Sequence, residues 1–518
     1  MIINFLIIIQ VKMEKGKIVI SKPYITQNGN LYRLNAEIDE NGERRVLYAE
    51  VEEPYAKYLC QERADALVYL VLPVALRENY DIYSEAPVTG VFLHNINEIL
   101  IPHLVMGDKN LYPISLFADT EDSYLEVGEG IGTAISCGVD SLYTVKQYTD
   151  NKYPGLQLTH LFIASVNAEL WDTKDGDLYQ WIKEHKIQFD RYELVSRELN
   201  LPLVKVYTNF FWYICSRDWD KYHHLWVHNY ISMASVLVLK KLWKVYLFSS
   251  TSPYTIFNLH NNSKQDTDRH ELLSNHVLSV PDFFCFSGGV KADRIQKTFE
   301  LADYPIAQKV LHPCHKSGVK NCSDPTCGKC LRGLLTLDYY DKLDNMEKVF
   351  DIKRYRRDRK HYLWRLAEGK NNEFLSDLYK LFCEKFPEDM KKANESYERF
   401  VSPVPAYKFH SLQRWYSFSL QLLSTDKPFE QIKNFFVTND IKKIYCSGRS
   451  NIGDKIRKMI SDEIACFDYG TADIGDCDAA LIFDTNESEI KRKRDILAKR
   501  KAKRIYTLVD LEAYVKYH

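Results

Sequence analysis

From about residue 130 onward the sequence repeats one unit, a short apolar run followed by an amphipathic run of helical length. "GTAIS" leads into "DSLYTVKQY", "LTHLFIAS" into "QFDRYELVSRELN", "LPLVKVY" into "WVHNYISMASVLVLKKL", and "KVYLFSS" closes the series. Strands joined by helices of this length pair in parallel, because a parallel crossover needs a long connection and a helix fills it. The helices then cover both faces of the sheet, which is why the strands read as continuously apolar rather than alternating. The fold class expected is α/β with a parallel sheet.

At 518 residues the chain exceeds what a single core usually organises, so two to four domains are expected. Residues 1–125 mix alternating segments such as "KIVISKPYI" and "NLYRLNAEI" with one helical run, "RADALVYLVLPVAL", and read as an α+β lobe. The parallel-sheet domain spans 126–345, and a helical region with aromatics at helical spacing spans 346–435. Residues 436–518 form a small lobe that opens with "KKIYCSGRSNIGDKIRKMI". There Gly448 and Gly453 stand as the outer glycines of G-x-G-x-x-G, Ser450 replaces the middle one, and Asp468 sits where a ribose-binding acid would follow. This lobe resembles the small Rossmann-like lobes appended to sugar-modifying enzymes. With the middle glycine missing it reads as a recognition or assembly module.

Charge and cysteine usage narrow the function classes. Lys and Arg number 69 against 70 Asp and Glu, a net charge of −1 that carries no nucleic-acid signature. The basic stretch "RYRRDRKHYLWRLAEG" reads as a solvated helix face. Eight of the 12 cysteines stand isolated from one another, which excludes a disulfide scaffold and fits a reducing cytoplasm. The opening "MIINFLIII" is too short for a membrane span and lacks the basic start and cleavage pattern of a signal peptide; a buried strand, or an upstream start ahead of Met13, are its two readings.

The chemistry concentrates at two motifs. The first is "SCGVDS", Ser136 to Ser141, at a strand-to-helix junction where the helix start offers unpaired N–H groups and a positive dipole end. Gly138 permits a tight turn, and the hydroxyls of Ser136 and Ser141 can donate to phosphate oxygens. Asp140 is expected to cap the helix or to help hold magnesium. No Walker-type "GK[ST]" follows. The run resembles the Ser-Gly-Gly-x-Asp-Ser signature of the PP-loop ATP pyrophosphatases, with Cys137 where the first glycine usually stands. Cys137 must therefore take a φ/ψ that a side chain tolerates. The resemblance implies that Ser136, Cys137, Gly138, Val139, Asp140 and Ser141 bind ATP by its pyrophosphate end. It places Ser165 and Asn167 near the base or ribose, His228, Asn229 and Ser232 on the pocket-facing helix, and Ser250, Thr251 and Ser252 at the closing strand end. Downstream, "FSGGVKADRIQKT" follows no clear strand; it reads as a loop aiming Lys291 and Arg294 at phosphates or an acidic substrate, or as a solvated helix start.

The second motif is "HPCHKSGVKNCSDPTCGKCLRGLLTLD", with Cys314, Cys322, Cys327 and Cys330 within seventeen residues. Four thiolates at this density suit tetrahedral zinc, and a complete sulfur set leaves no open position, so the site reads as structural; His312 and His315 are alternative ligands. A PP-loop, a four-cysteine site and then an arginine-bearing helix are together similar to the 7-cyano-7-deazaguanine synthase family of queuosine biosynthesis, over roughly residues 130–340. The resemblance implies an enzyme that uses ATP, magnesium and a structural zinc. It would adenylate a carboxylate or carbonyl oxygen of a small-molecule or peptide acceptor, release pyrophosphate, and pass the activated carbon to a nitrogen or sulfur nucleophile. Ser136, Asp140, Ser141, Lys291 and Arg294 are its expected catalytic residues. The alternative is a nucleotide-binding module without turnover, a sensor or assembly partner.

Overall fold

The computed structural model describes the chain from Lys15 to Val401 except residues 151, 167–175, 218–221, 259–266, 315 and 317; beyond that it describes 427–447 and parts of 456–511. Asn167, His315, Gly448, Ser450, Gly453, Asp468 and the opening fourteen residues lie outside the described set. The chain divides into two compact units, Met1–Tyr397 and Glu398–His518.

The first unit is built on one large, mostly parallel sheet. Its N-terminal strands are β1 (Gly16–Ile20), β2 (Tyr24–Asn28), β3 (Leu31–Glu40), β4 (Glu43–Glu52), β5 (Tyr80–Ser84) and β6 (Leu116–Phe117), with helix α1 (Asp65–Glu78) before β5. The strand-helix repeat follows as β7 (Gly130–Ala134), α2 (Val139–Thr149), β8 (His160–Ala164), α3 (Lys186–Leu199), β9 (Leu203–Thr208), α4 (His224–Leu237), β10 (Trp243–Ser249) and β11 (Phe284–Gly288). Helices α5 (Arg294–Ala302), α6 (Gly328–Tyr339) and α7 (Ile352–Glu368) come after it.

Along the sheet the order is β11-β10-β7-β8-β9-β4-β3-β1-β5-β6, with β2 paired to β3. The five strands from β11 to β9 are all parallel, as the repeat requires. The N-terminal strands do not close a separate sheet: β4 pairs antiparallel with β9 through Ala49 opposite Thr208 and Glu50 opposite Tyr207, so the sheet runs unbroken across residue 126.

Side chains on successive strand residues leave on opposite faces, and both faces are covered. Leu161, Val245 and Leu247 enter one core with α2 and α6, while Phe162, Tyr246 and Val206 enter the other with α1 and α4. Helix α1 is buried from Asp65 to Leu76 and packs on α4. Its buried first-turn carboxylate is matched by Lys240 at 2.9 Å, which with Arg63 and Asp282 forms an ion cluster under the sheet.

One expectation is corrected here. "FSGGV" does follow a strand: β11 pairs in parallel with β10 from Val245 opposite Phe284 to Ser249 opposite Gly288. Its Phe284 and Phe286 sit at an exposed edge and stack on each other, so the apolar signal is that of an edge strand rather than a buried one. The residues after it form a second strand-loop-helix junction beside the first.

The second unit carries a four-stranded parallel sheet, β12 (Lys443–Ser447), β13 (Ala465–Phe467), β14 (Ala479–Ile482) and β15 (Ile505–Thr507), in the order β13-β12-β14-β15. Among the described residues no helix is long and apolar enough to cross a membrane.

Candidate functional site

The β7–α2 junction turns on Cys137, not on Gly138. Cys137 has φ +56 and is fully buried, whereas Gly138 is in ordinary extended backbone at φ −76 and ψ 174. The left-handed conformation costs a side-chain residue about 1–2 kcal/mol. Gly138 earns its place by close approach instead, since a Cβ there would lie 3.2 Å from Ser136 Oγ. Burial pushes the Cys137 thiol up to about 12, so it stays protonated and is no nucleophile at neutral pH.

Gly138 is the N-cap of α2 and brings no side-chain acceptor to the helix start. The two serines are bound to the turn: Ser136 Oγ and Ser141 Oγ are 3.1 Å apart, Gly138 N–H donates to Ser136 Oγ at 3.3 Å, and Ser141 Oγ donates to the Gly138 carbonyl at 3.2 Å. Ser136 remains exposed; Ser141 and Val139 are buried, so Val139 offers the site only its backbone.

Asp140 does not cap the helix. Its carboxylate meets Arg294 at 2.7 Å and Lys297 at 3.3 Å. Lys297 is wholly buried on α5 and also donates to the Ser250 carbonyl at 2.7 Å. This close packing of α5 and β11 on α2 depends on glycine at 288, where a Cβ would come within 2.8 Å of Thr144 Cγ2. Burial lowers the Lys297 pKa; Asp140 opposes the shift and Arg294 adds to it.

A third cation comes from the cysteine helix. Arg332, on α6, has its pKa lowered to about 10 by burial and then by Arg294, with Asp140 pulling the other way, and its guanidinium lies 4.9 Å over the Phe374 ring. Asp140 meets Arg294 and Lys297 directly, while Arg332 and the buried Glu271 act on this group electrostatically. Arg294 and Lys297 lie beside a helix N-terminus, a setting that favours negative charge.

The remaining predicted residues divide clearly. Arg294 is in the site. Lys291 is exposed, with no hydrogen-bond or ion-pair partner among the described residues; the helix begins three residues later, capped by Asp293, and the inward positions go to Arg294 and Lys297. Ser165 clasps β8 to β9, donating to the Thr208 carbonyl at 3.1 Å and accepting its N–H at 2.7 Å, so its hydroxyl is committed to the sheet. Asn229 is buried between Tyr69 and Asn275, accepting at 2.7 Å from one and donating at 3.0 Å to the other. His228 is 3.0 Å from Thr267 Oγ1. Ser250 contributes its carbonyl, while its hydroxyl closes the turn to Ser252.

Lys297 and Arg332 were missed. Lys297 follows Arg294 by three residues, the spacing of one helix face, and Arg332 stands in the quoted "CGKCLRG" run; neither signal says which way the helix faces.

Beside this cradle the four cysteines converge. The sulfurs of Cys314, Cys322, Cys327 and Cys330 all lie within 4.8 Å of one another, with Cys322 and Cys330 at 3.5 Å. A tetrahedral site with Zn–S bonds near 2.3 Å needs sulfurs about 3.8 Å apart, so the four thiols could hold a metal such as zinc. The loop is pinned by Asn321, which accepts from Cys314 N–H at 3.2 Å and donates to the carbonyls of Leu311 and Val349. Lys316 N–H points at Cys314 Sγ at 3.4 Å, and the Cys330 amide at the Cys327 sulfur. His312 does not join the four-sulfur group; separately, its backbone N–H donates to the Cys137 carbonyl at 2.7 Å. No protein-family model, curated protein or solved structure matches this chain.

Proposed function

We propose that the protein is an ATP-dependent adenylating enzyme of the PP-loop kind, resembling 7-cyano-7-deazaguanine synthases, with zinc in the four-cysteine cluster. The observation that carries this reading is the uncapped start of α2 faced by Arg294, Lys297 and Arg332. Backbone amides and Ser136 would hold the pyrophosphate end, and the three cations would offset the charge that grows as the α-phosphorus bond to pyrophosphate breaks. An acceptor carboxylate or carbonyl oxygen attacks that phosphorus. A nitrogen or sulfur nucleophile then takes the activated carbon and releases AMP.

Asp140 holds Arg294 and Lys297 in position, and magnesium enters with ATP as its phosphate complex. The commitment of Asp140 to two cations favours one second reading, a nucleotide-binding module without turnover. Incubating the purified protein with ATP and a small-molecule cell extract separates them. AMP with pyrophosphate supports the enzyme, intact ATP that is bound but not consumed supports the module, and ADP refutes both.

A further inference from the structure

We infer that the four-cysteine cluster is a positioning element of the phosphate cradle, so that metal occupancy and ATP affinity are coupled; the inference rests on the cradle reading above. Both outer ligands of the cluster stand two residues from a group that builds the cradle. Cys314 follows His312, whose N–H bonds the Cys137 carbonyl at 2.7 Å. Cys137 is the residue held at φ +56, and the turn it makes aims the first amides of α2. A left-handed cysteine has no local preference for that conformation, so an outside bond that holds it matters.

At the other end, Cys330 precedes Arg332 within the first turns of α6, and α6 packs on α5, which carries Arg294 and Lys297. A metal bridging Cys314 to Cys327 and Cys330 would fix the His312 loop and the Arg332 helix relative to each other. The protein's own bonds hold this loop at several points: the Asn321 set, Arg191 on the Gly318 carbonyl, the Asp351 N–H on Ser323 Oγ, and Arg354 on the Cys322 carbonyl and Asp324. None of these bonds runs from the 312–314 segment to α6, so a metal would add a direct tie between the two.

Coupling of this kind is reciprocal: whatever factor metal adds to ATP affinity, ATP adds to metal affinity. The test is calorimetric titration of magnesium-saturated ATP into the full-length metal-loaded protein and into protein stripped by a chelator. We expect ATP to bind about tenfold more weakly after stripping. Arg332→Gln should weaken ATP binding to the loaded protein by a similar factor while its metal content stays at the parent level. A second measurement keeps the test sharp if the stripped protein unfolds: in the folded, loaded protein, saturating magnesium-ATP should slow metal transfer to a chromogenic chelator about tenfold. Equal ATP affinity with and without metal, or an unchanged transfer rate with ATP bound, overturns the coupling alone. No ATP binding to the loaded protein overturns the cradle reading and the coupling with it.

Discussion

At the residue scale, Cys137 and Asp140 shape the β7–α2 turn and its charge. Cys137 places a buried thiol in a left-handed turn. Replacing it by Gly or by Ala removes the same sulfur, but only Gly removes the conformational strain. Cys137→Gly should therefore be more stable than Cys137→Ala by about 1 kcal/mol, read from urea midpoints at unchanged slope; the reverse order would mean that the turn is not strained. Asp140 is the partial counter-charge of a fully buried lysine. Asp140→Asn should cost about 3 kcal/mol by leaving Lys297 under-compensated, and the double variant Asp140→Asn/Lys297→Met should recover part of that loss. Additive losses in the double variant would show that the pair is not coupled. That "SCGVDS" forms a strand-to-helix turn is legible in the sequence, but that Cys137 and not Gly138 takes the positive φ is not, because glycine is the residue that adopts it most readily. Partners of Asp140 were not legible, since they come from a helix more than 150 residues away.

At the element scale, the strand-helix repeat was readable because period and composition are local properties. β8 falls within the run quoted for it, and β7, β9 and β10 overlap theirs with ends displaced by one or two residues. The join of β4 to β9 was not readable: two antiparallel pairs of residues decide it, and pairing over that separation leaves no local mark. Strand β11 was overlooked because its exposed phenylalanines break the buried-strand pattern. The basic run of α7 does present a solvent-facing side, with Arg356, Arg357 and Lys360 exposed, while Tyr355, Tyr362 and Leu366 on the other side are buried. The cysteine loop yields its own prediction. Elemental analysis should find one zinc per chain, and Cys327→Ser/Cys330→Ser should lose it and open the loop around residues 312–330 to protease while the parallel sheet stays folded. Metal-free protein purified under reducing conditions, with parental protease resistance in the double variant, would contradict a structural metal.

At the scale of the whole molecule, the cradle draws on four parts of one compact unit: the β7–α2 turn, the end of β10, helix α5 and helix α6. All lie within Met1–Tyr397. A chain ended after Val401 should keep its ATP affinity within about threefold of the full protein, because a unit with its own cores folds on its own; loss of binding would show that the second unit completes the site. The central claim is that this cradle binds the pyrophosphate end of ATP. The most direct test is competition calorimetry with magnesium pyrophosphate, in the parent and in Arg294→Gln and Lys297→Met. Pyrophosphate should displace ATP from the parent protein and bind each variant at least about tenfold more weakly, each losing one charge-assisted contact. Pyrophosphate that fails to displace ATP, or that binds the folded variants as tightly as the parent, would contradict it.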